Sequence, residues 1–163
     1  MTIVVADACP VIFLAKLDQL ELVRAMFPGT ILIPEAVHLE LVQESIPLSE
    51  LRRLQEFLKK CQIEAVRNPQ YLSTSLSLAD RCVLTLAEKH QGAIILTDDG
   101  LVRRIARSEG FAVAGTLGIL IRARRAGIIS KTVARQALND LVARHRFRIS
   151  IELYQEVLRN LDQ

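Results

Sequence analysis

The chain has 163 residues, half of them hydrophobic, which suits one domain with a core of normal size. No apolar run approaches the ~18 residues needed to span a bilayer, and the first residues, MTIVVADACP, lack the basic segment of a secretory signal. We therefore expect a soluble, cytoplasmic protein. The few aromatic residues argue against an extended stacking platform for single-stranded nucleic acid.

Charge is unevenly distributed along the chain, although the net charge is only +3. Residues 1–100 carry 9 Lys+Arg and 13 Asp+Glu, whereas residues 101–163 carry 12 Lys+Arg and 5 Asp+Glu. Eleven of those 12 cations are arginines, which favour bidentate phosphate contacts. The second segment is thus a candidate nucleic-acid surface. A solvated helix face or a docking surface for an acidic partner fits the composition equally well.

Short β-rich runs alternate with helical segments. Strands are predicted at Thr2–Ala6, Thr30–Ile33, Ile63–Val66, Ala93–Leu96 and Ala112–Ala114, of which the first two are expected to be buried and Ala93–Leu96 central. Helices are predicted near 11–16, 19–27, 34–43, 48–60, 77–90, 101–108, 115–126, 130–144 and 151–161, with Asp18 and Ser49 among the N-caps. This alternation predicts an α/β fold with a parallel sheet covered on both faces.

Residues 1–163 are expected to form a single domain, with a helical C-terminal extension from about residue 130. That tail either extends the domain or packs on a second subunit.

Four carboxylate motifs lie where a strand or helix ends or turns. They are Asp7 in VVADACP, Glu40 in IPEAVHLEL, Asp80 in LSLADRCVL and Asp98-Asp99 in AIILTDDG. Ligands of open α/β sheets bind beyond the carboxyl ends of the strands, so we expect these acids to converge there. Such a cluster repels itself unless a cation is bound, and Mg²⁺ and Mn²⁺ prefer oxygen ligands. The motifs thus predict a metal-dependent hydrolase, most readily a phosphodiesterase.

Each acid also has an ordinary structural explanation. Asp80 lies in capping-box position after Ser77, Asp98 or Asp99 can cap the next helix, and Glu40 can simply face solvent. An α/β phosphatase is a further alternative, although the first strand is not followed by a DxD motif. A nucleophilic Cys9 is less well supported, because neither an arginine loop nor a nearby histidine accompanies it.

The motifs together resemble the PIN-domain family. DACPVIFLAKL resembles its DxSPLIxLAK opening, and IPEAVHLEL resembles its IPxxVxxEL segment. LSLADRCVLTLA and AIILTDDGLVRRIA resemble its third and fourth acidic motifs, and GTLGILIRARRAGII resembles a segment of a bacterial and archaeal branch near VapC-type toxins. The resemblance covers about residues 3–130. Cys9 replaces the serine of the opening motif.

The resemblance implies a three-layer α/β/α sandwich with a central parallel sheet, and a Mg²⁺- or Mn²⁺-dependent endoribonuclease. It implies Asp7, Glu40, Asp80 and Asp99 as catalytic acids, with Asp98 as a neighbouring metal ligand. The RNA contacts we expect are Thr97, Arg103, Arg104, Arg107, Arg122, Arg124 and Arg125. A toxin role with an antitoxin partner, and a homodimer, are further implications. The alternative is a catalytically weak PIN module that binds RNA or a protein.

Overall fold

The computed structural model describes residues 1–43 and 45–163. Its five strands are β1 (Thr2–Ala6), β2 (Gly29–Pro34), β3 (Gln62–Glu64), β4 (Ile94–Leu96) and β5 (Ala112–Ala114). The helices of the described residues are α1 (Ala8–Lys16), α2 (Glu21–Met26), α3 (Glu35–Gln43), α4 (Leu48–Lys59), α5 (Leu78–Glu88), α6 (Gly100–Ser108), α7 (Thr116–Arg125), α8 (Lys131–Ala143) and α9 (Ile151–Asp162).

The strands form one parallel sheet in the order β3-β2-β1-β4-β5, and the helices pack around it. This confirms the predicted α/β/α sandwich. β1 is central, and its residues Val4, Val5 and Ala6 are completely buried, as expected for a parallel strand covered on both faces. The chain leaves β1 toward β2 on one side and returns through β4 on the other. The strand order therefore switches between β1 and β4, where ligands bind in folds of this type.

The helix N-caps agree with the sequence-based predictions at some helices and differ at others. Ser77 and Asp80 form a complete capping box on α5, as expected. Asp18, however, does not cap α2, whose N-cap is Leu20. Asp18 has φ 56°, just beyond the end of α1, and Asp is one of the few residues that tolerate this conformation. Likewise α4 begins after Pro47, with Ser49 already inside the helix.

The last two helices pack against the body of the domain. α8 and α9 contact α7 and each other, and Leu138, Leu141 and Leu161 are fully buried. In the part of the chain that the structure describes, no helix combines the length and apolarity needed to cross a membrane.

Candidate active site at the switch point of the sheet

Asp7 and Thr97 mark the switch point, because they follow β1 and β4 directly. The Asp7 N–H donates to Leu96 O at 2.9 Å, which continues the β1–β4 ladder by one residue. The Asp7 side chain is 5% exposed and accepts from the Ala8 N–H at 2.8 Å and from the Thr97 hydroxyl at 2.9 Å. The carboxylate is therefore buried between the ends of two neighbouring strands, and the crevice expected at this switch point is called the cleft below.

Burial raises the pKa of Asp7 from 3.8 to about 6. The two hydrogen bonds lower the pKa, but less than burial raises it, and the negative charges of Asp80 and Glu40 raise it further. The structure thus brings Asp80 and Glu40 close enough for their charges to act on Asp7. A carboxylate that is dehydrated and surrounded by like charge is one that a cation would stabilise.

Asp99 lies at the rim of the same cleft. Its carboxylate caps α6 by accepting from the Val102 N–H at 2.9 Å, and its own N–H donates to the Thr97 hydroxyl at 3.2 Å. Thr97 is therefore hydrogen-bonded to both acids. It is also fully buried, which differs from the expected RNA contact, because a buried hydroxyl cannot reach a bound strand. Thr97 instead links Asp7 and Asp99 through the two hydrogen bonds of its hydroxyl.

Asp80 and Glu40 approach from two flanking helices. Asp80 is half-buried in the first turn of α5, where one carboxylate oxygen accepts from the Ser77 N–H at 3.0 Å. Glu40 is exposed on α3 and lines a shallow cavity with Ala8 and Cys9. Glu40 therefore approaches the start of α1 from the side of α3.

Cys9 lies among these acids in the first turn of α1. Partial burial and the charges of Asp7, Asp98, Glu40 and Asp99 raise the pKa of its thiol to about 12. The thiol is therefore protonated at neutral pH, which removes the basis for a nucleophilic Cys9.

Asp98 is hydrogen-bonded to the start of α7. Its two carboxylate oxygens accept from the N–H and hydroxyl of Thr116 at 2.8 and 2.7 Å, and Thr116 is fully buried. Burial raises the pKa of Asp98, while the bonds to Thr116 lower it less. Both oxygens thus help to fix the start of α7. From the sequence, Thr116 was expected only to open the helix, because no neighbouring residue indicates that Asp98 is its partner.

Gly115 allows this packing, because a Cβ atom there would lie 2.7 Å from both the Asp98 carboxylate and the Arg103 guanidinium. The Arg103 guanidinium itself donates to Thr97 O at 2.9 Å. Arg103 thus braces the β4–α6 turn. Arg104 and Arg107 are exposed on α6 and remain available to a ligand.

The arginines at the far end of α7 are used within the fold. Arg124 donates to Leu161 O, Arg125 donates to the Asn160 side chain, and Arg122 lies 5.2 Å from the ring centre of Phe27. Thr116, which bonds Asp98, lies at the start of α7, and six or more residues at ~1.5 Å rise separate it from these side chains. The structure therefore does not group Arg122, Arg124 and Arg125 with the acids.

The donor set suits a hard divalent cation in its chemistry, since the converging groups are carboxylates and one is buried among like charges. Within residues 1–43 and 45–163, no three His, Cys, Asp or Glu side chains are arranged closely enough to hold a metal ion. A bound ion would thus need water ligands or a movement of the exposed acids. Mg²⁺ commonly keeps several waters in protein sites.

The model of the family described as DUF3368: PIN domain matches residues 3–163 of this chain. The chain belongs to this PIN-domain family. The assignment confirms the resemblance seen in the sequence and supports nuclease-type chemistry.

Two solved structures are similar to part of this chain. One is a domain of a functionally unknown protein from Methanocaldococcus jannaschii, with 22% identity, a TM-score of 0.49, and coverage of 71% of this chain and 91% of that one. The other is the PIN domain endonuclease Utp24, with 19% identity, a TM-score of 0.49, and coverage of 69% and 84%. A search of curated proteins gave no match.

Proposed function

We propose that this chain is a Mg²⁺- or Mn²⁺-dependent endoribonuclease. The observation that carries the proposal is the buried Asp7 at the switch point, whose pKa is raised by burial and by the charges of Asp80 and Glu40. Maintaining such a group is unfavourable for the protein alone, and perturbed acids of this kind cluster at functional sites. Membership of the PIN family supports a phosphodiester as the bond that is cut.

Asp7, Asp80 and Asp99 are the residues that would hold the cation, and Asp98, whose oxygens accept from Thr116, is the neighbouring candidate. When bound, the ion would acidify a water molecule and offset the charge that develops on the phosphate. Glu40, which is exposed on α3, would accept a proton from that water. Thr97 positions Asp7 and Asp99, and Arg104 and Arg107 contact the RNA backbone.

The test is cleavage of end-labelled single-stranded and hairpin RNA with Mg²⁺, Mn²⁺ or a chelator. We expect cleavage only with metal, and a loss of about 10²-fold or more in Asp7→Asn, because even outer-shell partners of metal ligands contribute about 10- to 100-fold. Asp18→Asn is the matched control: it removes the same charge from an exposed acid that pairs with Arg53. Cleavage that persists in Asp7→Asn contradicts the proposal.

One specific observation favours a second function, a PIN module that binds RNA without efficient cleavage. Among the described residues, no three acids lie close enough together to hold a metal ion. In addition, Cys9 stands where the family motif has serine. RNA binding that is retained with no cleavage in any metal would select this second function.

The toxin role, the antitoxin partner and the homodimer belong to the proposal through the family resemblance. Sedimentation of the purified chain tests the homodimer. Growth arrest on expression, relieved by Asp7→Asn, tests toxicity. Relief of that arrest by coexpression of a neighbouring gene tests the antitoxin.

A further inference from the structure

A second cavity, of about 290 Å³, lies beside the acidic cleft, between α7, α9 and the segment at 147–148. Leu117, Ile121, Phe147 and Val157 supply its apolar wall. Ligand pockets combine such a wall with a few polar groups at defined places, and this volume is near the lower end of their range of about 300–1,000 Å³. The size suits a single small group rather than a peptide helix.

The cavity adjoins the proposed active site through two residues. Asp98 and Arg103 both line it, Asp98 precedes Asp99 in the chain, and Arg103 donates to the carbonyl of Thr97. Only the β4–α6 turn therefore separates the cavity from the cleft. A polymer whose phosphate lies near Asp7 and Asp99 would present its next residues to the cavity.

Gly118 keeps the cavity open. It lies inside α7 and lines the cavity, and a Cβ atom built on it would meet nothing within 4 Å. Glycine inside a helix is unfavourable relative to alanine, and neither a positive φ nor close packing requires it here. Its effect is to leave the helix backbone accessible, which is typical where a ligand approaches closely.

The polar groups at the mouth suit a nucleotide. Arg148 is exposed and forms neither a hydrogen bond nor an ion pair with the described residues, so its guanidinium is available for a phosphate. Glu156 is likewise uncommitted, whereas the other acceptors on the lining, Asp98 and Asn160, accept from Thr116 and Arg125. A carboxylate can accept from the exocyclic amino group of a base.

We propose that this cavity is a nucleotide subsite for the RNA strand next to the scissile phosphate. The base lies against the apolar wall over Gly118, Arg148 contacts a phosphate, and Glu156 reads an amino group on the base. The choice of RNA rests on the proposed function, but occupation of the cavity requires no cleavage. A single half-buried ring, Phe147, contributes to the wall, so the site holds one base rather than a stacked series.

The test measures RNA binding by fluorescence anisotropy in an Asp7→Asn background, where cleavage cannot interfere. We expect Gly118→Leu, which fills the cavity, to weaken binding by about 5- to 100-fold, the range given by loss of one base contact. Gly118→Ala should weaken binding less than Gly118→Leu, because its single methyl group occupies less of the cavity than a leucine side chain. Arg148→Gln should weaken binding, and Arg159→Gln, which removes the same charge from α9 outside the cavity, should not.

Base identity tests the role of Glu156. Oligo(C) and oligo(U) differ at the exocyclic group of ring position 4, where only cytosine carries an amino group. We expect oligo(C) to bind about 5-fold or more tighter than oligo(U), with the preference lost in Gly118→Leu. Equal binding of both oligomers by the Asp7→Asn protein overturns the reading role of Glu156.

Removal of single bases from the RNA decides the proposal without further protein variants, should Gly118→Leu not fold. We expect one abasic position to weaken binding far more than the others, and a uniform response at all positions overturns the subsite. The nucleotide subsite and the nuclease activity can be overturned independently of each other. Metal-dependent cleavage with binding unaffected by Gly118→Leu overturns the subsite alone, whereas base-dependent binding without cleavage overturns the nuclease and leaves the subsite.

Discussion

Asp7 is the residue at which folding and function conflict. Its carboxylate is buried, and burial raises its pKa to about 6, so at neutral pH the protein must hold a charge that its surroundings disfavour. The Ala8 N–H and the Thr97 hydroxyl offset part of that penalty. An unfavourable buried charge of this kind persists when the rest of the fold is stable enough to maintain it.

This conflict gives a pH dependence of stability. Because the pKa is higher in the folded state than its ordinary 3.8, the folded protein binds the proton more tightly, and this stabilisation is present below about pH 3.8 and lost as pH rises through about 6. The shift corresponds to about 3 kcal/mol. We expect that Asp7→Asn does not lose this stabilisation as the pH rises. The free energy of unfolding of Asp7→Asn minus that of the wild type should therefore increase between pH 4 and 7.5.

Urea unfolding in chelator at several pH values measures that difference. Other acids, including Asp98, titrate in both proteins and largely cancel in the subtraction. Asp18→Asn serves as control and should show no such rise. A difference between Asp7→Asn and wild type that stays constant with pH would contradict the raised pKa. If the cation binds, Mn²⁺ should stabilise the wild type more at pH 7.5 than at pH 5.5, because ligands must be deprotonated.

The positions of the acids were predictable from strand ends, but their hydrogen-bond partners were not. Asp7 and Asp99 follow apolar strands, and parallel strands bring their ends to one edge. Nothing near Asp98 in the sequence indicates that Thr116, 18 residues later, takes both of its oxygens. That pairing depends on where β5 delivers α7, which is a property of the packed sheet.

At the scale of elements, the start of α5 connects stability to the site. The Ser77 hydroxyl accepts from the Asp80 N–H at 3.1 Å, and Asp80 accepts in return from the Ser77 N–H. The same turn therefore caps the helix and orients a proposed metal ligand. α8 offers a comparison, because its cap Ser130 accepts from the Val133 N–H at 3.1 Å and has no acidic partner in the cleft.

We expect Ser77→Ala and Ser130→Ala to lose similar stability, about 0.5–2 kcal/mol, as is usual for removal of a helix cap. Only Ser77→Ala should also lower RNA cleavage, by up to about 10²-fold, because small misplacements of catalytic groups have effects of that size. Thermal unfolding and initial cleavage rates measure the two effects. Equal cleavage by both variants would show that the first turn of α5 does not position Asp80 for catalysis.

Helix boundaries were predicted within a few residues wherever a strong cap or glycine marked them, as at Ser77 and Gly127. The errors arose where one residue type serves two purposes. Asp18 was predicted as an N-cap, but it occupies a left-handed position after α1 and pairs with Arg53 at 3.1 Å. The arginines of α7 show the same ambiguity, because the sequence alone does not distinguish an arginine that contacts phosphate from one that bonds another part of the same fold.

Across the whole molecule, the C-terminal helices decide whether the chain unfolds as one unit. Leu161 of α9 is fully buried, and Arg124 donates to its carbonyl at 3.2 Å. The neighbouring Asp162 lies on the surface and pairs with Lys131 and Arg135. Substitutions at these two adjacent residues therefore measure the contribution of packing and that of surface charge separately.

We expect Leu161→Ala to lower the free energy of unfolding by about 2–5 kcal/mol, as for other large-to-small changes in a core. Asp162→Asn should have a much smaller effect, because exposed ion pairs contribute little. Urea unfolding followed by circular dichroism measures both. A single transition in the wild type and both variants supports one domain, whereas early separate loss of α8 and α9 would make them an independent unit.

The Asp7–Thr97 hydrogen bond joins residues 90 positions apart, and this separation affects how the protein is made. A nascent chain displays β1 long before β4 emerges from the ribosome to pair with it, and such non-local pairing is slow. Until then one edge of the central strand is open to other chains, which is an aggregation hazard. The cleft itself is incomplete over the same period, so any damaging activity is withheld until more than half of the polypeptide has been synthesised.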